Sequence, residues 1–463
     1  MAAVKESLIR GSWIKDGEAV KRFISAALAM MFLFCSCQKN SYDDFSFPPK
    51  TDASLVMVDD GRTGSDYRGI MPLTEKTEAI YPSEDGSCNI EKRAHYLEVS
   101  IDTDKSGHYG AGKAYGEALA KAVPDYAEKI EQFITEQIID DVEEEICIYG
   151  NYLDIDEKYI QELHGFADSF GVSEGFSEDG IISFEEALFL STINDSLFLF
   201  FRNSALSVNG EKSASGRPVV CAVSELQSLE KRELSELHTV LHIKSGNETV
   251  TMFTVAGLFT GMTAVNSRGL GAVMSPLWNK STDAEEKNSA LYAVREALEK
   301  YGTAREAVKF MGKFSNFARP VSVMLTDCEE SLCAEHDGGK NVIRDCGTEI
   351  SDELKWEHPD CMLQVNSAVS KEIMGEELIS VTNYSRCEKI NEWLKEYEKL
   401  DIDGMKSMMT CEKINNYSID VNVRTCNTFE MIVMDSESGE IQAVFSDDEA
   451  MDDIPEFISI RSK

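Results

Sequence analysis

Between residues 112 and 445 the chain alternates in four blocks: helical spacing, short strands, helical spacing, strands again. That order predicts an α+β protein with two stacked sheets between helical layers, and no internal repeat interrupts it. Apolar residues recur at helical spacing over 112–145, 157–170 and 184 to about 194. From 196 to 275, short runs rich in β-branched residues, such as 206–208, 219–223 and 249–255, predict strands. Helical spacing returns over 285–300 and 303–313, with Arg295-Glu296 and Arg305-Glu306 expected on exposed faces, and again over 388–399 and 402–410. The last strands, 431–434 and 441–445, face each other across Asp435-Ser-Glu-Ser-Gly439.

With 43% hydrophobic residues, a folded part of roughly 370 residues can bury one large core without covalent staples. The formal net charge of −37 argues against nucleic acid and anionic lipid surfaces as partners, since both are neutralised by Lys and Arg. No acidic block is long enough to form a tail.

Lys21-Arg22 precede an apolar run from Phe23 to Phe34, much shorter than the ~20 residues of a spanning helix. A basic stretch, a short apolar stretch and small residues at the cut are the pattern of a secretory signal, here residues 1–36. Residues 1–19 are polar for such a leader, so either translation starts later or the basic region is long. Leu33-Phe34-Cys35-Ser36-Cys37-Gln38 is similar to the lipobox of bacterial lipoproteins, and small Ser36 favours Cys37 over Cys35 as the lipidated residue. Asp43-Asp44 behind it resembles a surface-export signal. Residues 37–92 hold four of the ten prolines and little periodicity, which predicts a tether leading into a folded domain at 93–463. The expectation is an exported protein, lipid-anchored to a bacterial membrane at the outer membrane or cell surface and not spanning it.

Export changes the meaning of the twelve cysteines. Cys328 and Cys333 flank a short acidic turn, where a cross-strand disulfide and two free thiols both remain open. No Cys-x-x-Cys occurs, so neither a zinc ribbon nor a thioredoxin-type site is supported. His238 and His242 lie four apart, but the run between them reads as strand and no third ligand is near. Residues 175–186 match a calcium loop at Gly180, Ile182 and Glu186, yet position one is Gly175, and a glycine turn ahead of a helix near Phe184 explains the same residues. No metal and no cofactor is predicted.

Five segments fall in a telling order. They are Tyr109-Gly-Ala-Gly-Lys-Ala-Tyr-Gly116-Glu117-Ala118-Leu119, Phe201-Arg-Asn203-Ser204-Ala-Leu206-Ser-Val-Asn-Gly210, Gly257-Leu-Phe-Thr-Gly261 with Val265-Asn266-Ser-Arg-Gly269-Leu270, Thr382-Asn383-Tyr384, and 419–423 with 428–445. Together, over roughly 92–450, the chain resembles the acyl-CoA:6-aminopenicillanic acid acyltransferase (isopenicillin-N acyltransferase-like) family of N-terminal-nucleophile hydrolases. The resemblance implies a four-layer αββα sandwich and a precursor that cuts itself before a Cys nucleophile. It also implies Asn266 as oxyanion donor, a role worth a few kcal/mol of barrier. Small residues four apart in the first segment would let a neighbouring backbone approach closely.

Departures from the pattern cluster at the chemistry. The nucleophile position falls on Asn203, whose carboxamide cannot be deprotonated for attack. The family's Arg-Asn-x-Asp quartet falls on Ala222-Val223-Ser224-Glu225, keeping only the carboxylate Glu225, and its His becomes Tyr384. Two functions follow from the resemblance. One is an inactive relative that holds a small acyl-amide or peptide-like ligand in a cleft lined by Asn203, Glu225 and Asn266. The other is an active amidase or acyltransferase in which Ser204, freed by cleavage after Asn203, is the nucleophile. A purely structural surface protein is a third class and predicts no polar pocket around those residues.

Overall fold

The structure, a computed structural model, describes residues 72–137, 153–196, 201–226, 234–277, 287–314, 316–337, 340–374, 379–410, 423–425, 427–446 and 455–461. The order begins with strands β1 (Ala79–Pro82), β2 (Cys88–Lys92) and β3 (Leu97–Asp102), then helices α1 (Thr103–Ala122) and α2 (Tyr126–Gln137). It continues with β4 (Leu153–Asp154), α3 (Glu157–Asp168), α4 (Phe184–Ser191), α5 (Ile193–Ser196), β5 (Arg202–Val208) and β6 (Val219–Glu225). Next come β7 (His238–Ser245), β8 (Glu248–Val255), β9 (Thr263–Asn266), β10 (Gly271–Pro276), β11 (Lys287–Asn288), α6 (Ala290–Lys300) and α7 (Ala304–Met311). The chain then forms β12 (Val321–Thr326), β13 (Ser331–His336), β14 (Asn341–Arg344), β15 (Cys361–Gln364), α8 (Lys371–Met374), α9 (Val381–Glu396) and α10 (Ile402–Thr410). It closes with β16 (Thr428–Asp435), β17 (Ile441–Phe445) and β18 (Ile458–Ile460).

This is a mixed helix and sheet fold. A ten-stranded sheet runs β1-β2-β3-β7-β8-β9-β10-β12-β13-β14, and a six-stranded sheet runs β15-β5-β6-β16-β17-β18. Among the described residues only the β3–β7 strand pair is parallel within these two sheets. β1 and β2 lie at one edge of the large sheet, so residues 79–92, expected in the tether, belong to the folded body. Pro82 closes the edge strand, where a missing N–H is tolerated.

Three buried clusters show what each face packs against. Val99, Leu241 and Met252 of the large sheet share a cluster with Ala118 of α1, Leu163 of α3 and Leu298 of α6. Leu206, Val223 and Met431 of the small sheet pack with Ile390 and Leu394 of α9 and Met408 of α10. Ala205, Ala222 and Ile432 of the small sheet meet Val240, Phe253 and Val273 of the large one. Each large side chain so buried contributes about 1.5–3 kcal/mol of transfer free energy. Among the described residues no helix is long and apolar enough to cross a membrane.

The helix pair α1–α3 depends on missing side chains. A Cβ on Gly112 would lie 1.9 Å from the Glu162 carbonyl oxygen, and one on Gly165 would lie 1.9 Å from the Tyr109 carbonyl oxygen. Gly112 and Gly116 thus provide the close backbone approach their spacing suggests. Arg295, expected on an exposed face, is instead buried on α6: its terminal nitrogens meet Glu162 at 2.5 and 2.7 Å and its Nε meets Glu299 at 3.0 Å. A buried guanidinium is tolerable when a carboxylate receives it in this forked geometry.

Candidate functional site

β5 heads the candidate site and splits its two leading polar residues between opposite faces. Strand side chains alternate, so Asn203 shares a face with Ala205, toward the large sheet. Ser204 shares the other with Leu206, toward α9.

Asn203 is fully buried. Its amide donates to the Met274 carbonyl at 2.8 Å, and its own backbone carbonyl accepts from Ser275 Oγ at 2.9 Å. Two other carboxamides of the small sheet and its continuation act alike. Gln364 Nε2 donates to Val273 O (3.2 Å) and Ser322 O (2.7 Å), and Asn366 Nδ2 donates to Ser275 Oγ (3.0 Å) and Pro276 O (3.1 Å). Three amides therefore grip consecutive residues of β10. Asn203, where the resemblance puts a nucleophile, is thus part of a clamp between sheets, and Asn203, Glu225 and Asn266, expected to line a cleft, are all buried.

Ser204 faces a separate polar group. Arg386, reaching in from α9, donates to Ser204 Oγ at 3.2 Å and to Glu225 Oε2 at 2.6 Å; Thr425 Oγ1 donates to Glu225 Oε1 at 2.6 Å. Glu225 closes β6 directly opposite Arg202 of β5, on the face of Ser204 and not that of Asn203, and it is linked to Ser204 through Arg386. A guanidinium carries only hydrogen-bond donors, so Arg386 fixes the hydroxyl but offers no acceptor for its proton. Sequence reasoning missed Arg386. The available signal was an arginine heading the buried stripe Arg386, Ile390, Trp393, Leu394 at helical spacing.

Asn266 lies elsewhere. Its Nδ2 donates to the carbonyls of Leu298 and Tyr301, both at 2.8 Å, and its Oδ1 accepts from the backbone N–H groups of Arg268 (3.1 Å) and Leu270 (2.9 Å). Both amide hydrogens are thus committed to the C-terminal end of α6, whose carbonyls lack helical partners. The expected oxyanion donor is a turn-to-helix clasp, not a neighbour of Asn203. Asn383 donates to Ser367 Oγ at 2.7 Å, and Tyr384 packs half-buried against the α9 core.

The other sequence candidates resolve as follows. Cys328 is exposed in the turn, whereas Cys333 is buried opposite Met324 with its sulfur 3.1 Å from Ser322 Oγ; both are free thiols. The hairpin register sets Cys333 against Met324, so of the two open alternatives the structure has the free thiols. His238 Nε2 lies 3.1 Å from the Ser446 carbonyl, and His242 Nδ1 lies 2.8 Å from Thr251 Oγ1. In the 175–186 loop the amides of residues 179–181 point at Glu131, which accepts from Asp179, Gly180 and Ile181 at 2.8–3.2 Å. Inward amides suit an anion, not calcium. Ser183 and Glu186 form a capping box at the start of α4. Cys37 lies outside the described residues.

Electrostatics single out one more carboxyl. Glu430, on β16 opposite Ser224, is wholly buried, and burial pushes its pKa up to about 8 against the pull of the Ser224 hydroxyl.

No family model matches the chain, and no curated protein matches it. Solved structures similar to it include amidases and acylases. A Caenorhabditis elegans ortholog of N-acylethanolamine-hydrolyzing acid amidase is 12% identical over 51% of this chain and 96% of that one, with a TM-score of 0.37. Penicillin V acylase from Agrobacterium tumefaciens is 11% identical over 54% and 75%, with a TM-score of 0.32. The C2A mutant of conjugated bile acid hydrolase from Clostridium perfringens is 14% identical over 56% and 97%, with a TM-score of 0.34.

Proposed function

We propose that this chain is a non-catalytic relative of the N-terminal-nucleophile amidases and acyltransferases, exported and held to a bacterial membrane, at the outer membrane or cell surface, by lipid on Cys37. Any small acyl-amide or peptide-like ligand is recognised without turnover. The four-layer αββα sandwich is part of the same reading. It is supported by one helical group on the large sheet, a core shared between the sheets, and α9 and α10 on the small one.

One observation carries the proposal: the side chain at the nucleophile position is a buried carboxamide whose amide is hydrogen-bonded to Met274. It has no ionisable atom to attack with. The test is the intact mass of protein purified from membranes, paired with an acyl-amide hydrolysis assay. A single lipidated chain without turnover supports the reading; fragments breaking beside residue 203 together with turnover overturn it.

A second reading has its own observation, the contact of Ser204 Oγ with Arg386 beside Glu225. It makes Ser204 the nucleophile of an active amide hydrolase, with its freed α-amino group as base. Ser204→Ala would then abolish both cleavage and turnover, and in the first reading it changes neither.

A further inference from the structure

The loop between α3 and α4 is held by side chains. Among the described residues, 171–182 make no backbone-to-backbone hydrogen bond. Six N–H groups between Gly175 and Ser183 go to carboxylates instead. Gly175 donates to Glu185 at 3.2 Å, and Ser177 and Ser183 donate to Glu186 at 3.3 and 2.8 Å. Asp179, Gly180 and Ile181 donate to Glu131 of α2, and Ile181 also donates to Asp179 Oδ1 at 2.9 Å. Gly180, with φ of 78°, lets the successive amides turn to one carboxylate.

Four carboxylates thus converge on one loop, and among the described residues none of them has a salt bridge. Glu131 and Glu186 are buried, and they take amides only two positions apart, at Asp179 and Ser177. Two effects oppose each other there. Inward N–H dipoles favour a charged carboxylate, whereas burial and a like charge nearby favour the protonated form. Burial wins: it is the leading cause that raises both groups above their ordinary 4.5, Glu186 to about 7, and the charge of Glu131 adds to the rise at Glu186. The other titratable groups around the loop are exposed Glu174 and Glu178 and, on α3, His164, whose ring stacks on Phe184 at 3.9 Å.

We propose that this loop is a proton-operated latch, shut against α2 while Glu131 and Glu186 hold a proton between them and released as both ionise. Release returns two like charges to water and frees only amides that water can satisfy. Closure is therefore favoured most below pH 4.5 and weakens as pH rises towards 7. The latch lies outside the site around Asn203 and holds whether or not Ser204 is reactive.

Hydrogen exchange of the full chain, read by mass spectrometry at pH 5 and pH 8 and corrected for intrinsic exchange rates, tests this. Expected is a loss of protection over 177–183 of about tenfold or more at pH 8, measured against β8, since each unit of raised pKa is a tenfold bias. Glu186→Gln, which keeps an oxygen for the amides and cannot ionise, should show no such loss. Glu131→Gln removes the other charge and serves if the first variant does not fold. Equal protection at the two pH values in wild type, or an undiminished loss in the glutamine variants, overturns the proposal.

Discussion

Arg386 and Glu225, 161 positions apart in sequence, meet at 2.6 Å beneath the small sheet, both almost wholly buried. Removing one charge strands the other in a medium that cannot solvate it. Arg386→Met is expected to cost about 3–5 kcal/mol of unfolding free energy, read from urea denaturation. Adding Glu225→Leu to that variant should restore much of the loss. If the double variant is no more stable than the single one, the pair is not the coupled unit described.

Asn203→Ala removes the amide that reaches Met274 between the sheets. The expected loss is about 1–3 kcal/mol, again by denaturant unfolding, and the non-catalytic reading proposed above predicts no accompanying change in acyl-amide turnover. A variant as stable as wild type would show that the clamp carries no weight.

Gly112→Ala places a methyl group against a backbone carbonyl that cannot turn aside. Overpacking of this kind costs about 1–3 kcal/mol, and immovable backbone puts this case at the upper end. Lys113→Ala, one residue along and exposed, should be nearly silent in the same thermal melt.

Glu430 sets the sign of a pH response. Its folded pKa is raised to about 8 from an ordinary value of 4.5, so between those values the folded chain holds a proton that the unfolded chain has released. Stability from this group is complete below pH 4.5 and declines as pH rises towards 8. Glu186, raised to about 7, and Asp195, raised to about 6, both chiefly by burial, act in the same direction over narrower windows. A thermal midpoint that falls from pH 5 to pH 8 in wild type should fall less in Glu430→Gln. Identical slopes would rule out Glu430 as a source of the response.

Much of this architecture could be read from local pattern. The hairpin of β16 and β17 follows from alternating apolar residues around Asp435-Ser-Glu-Ser-Gly439, and its register sets Met434 against Ile441. The helices over α3, α9 and α10 follow from apolar stripes. What was hidden is non-local. Arg295 looks like a surface residue until Glu162, 133 positions earlier, arrives to receive it. Asn266 keeps a motif residue, yet the carbonyls of Leu298 and Tyr301 claim its amide. The first two strands escaped notice because short edge strands alternate weakly and Pro82 resembles linker composition. At the candidate site, Glu225 and Ser204 are linked through Arg386, a cation from a helix far along the chain that local spacing does not reveal.

The guanidinium of Arg295 touches Glu162 on α3, Glu299 on its own helix and the Phe259 carbonyl in the β8–β9 connection, and it lies 4.4 Å from the centre of the Tyr159 ring. Segments that are strangers in sequence thereby share one fate. Hydrogen exchange in α3 and α6 should accelerate together under mild denaturant, because neither helix can peel away and leave the other with its charge answered.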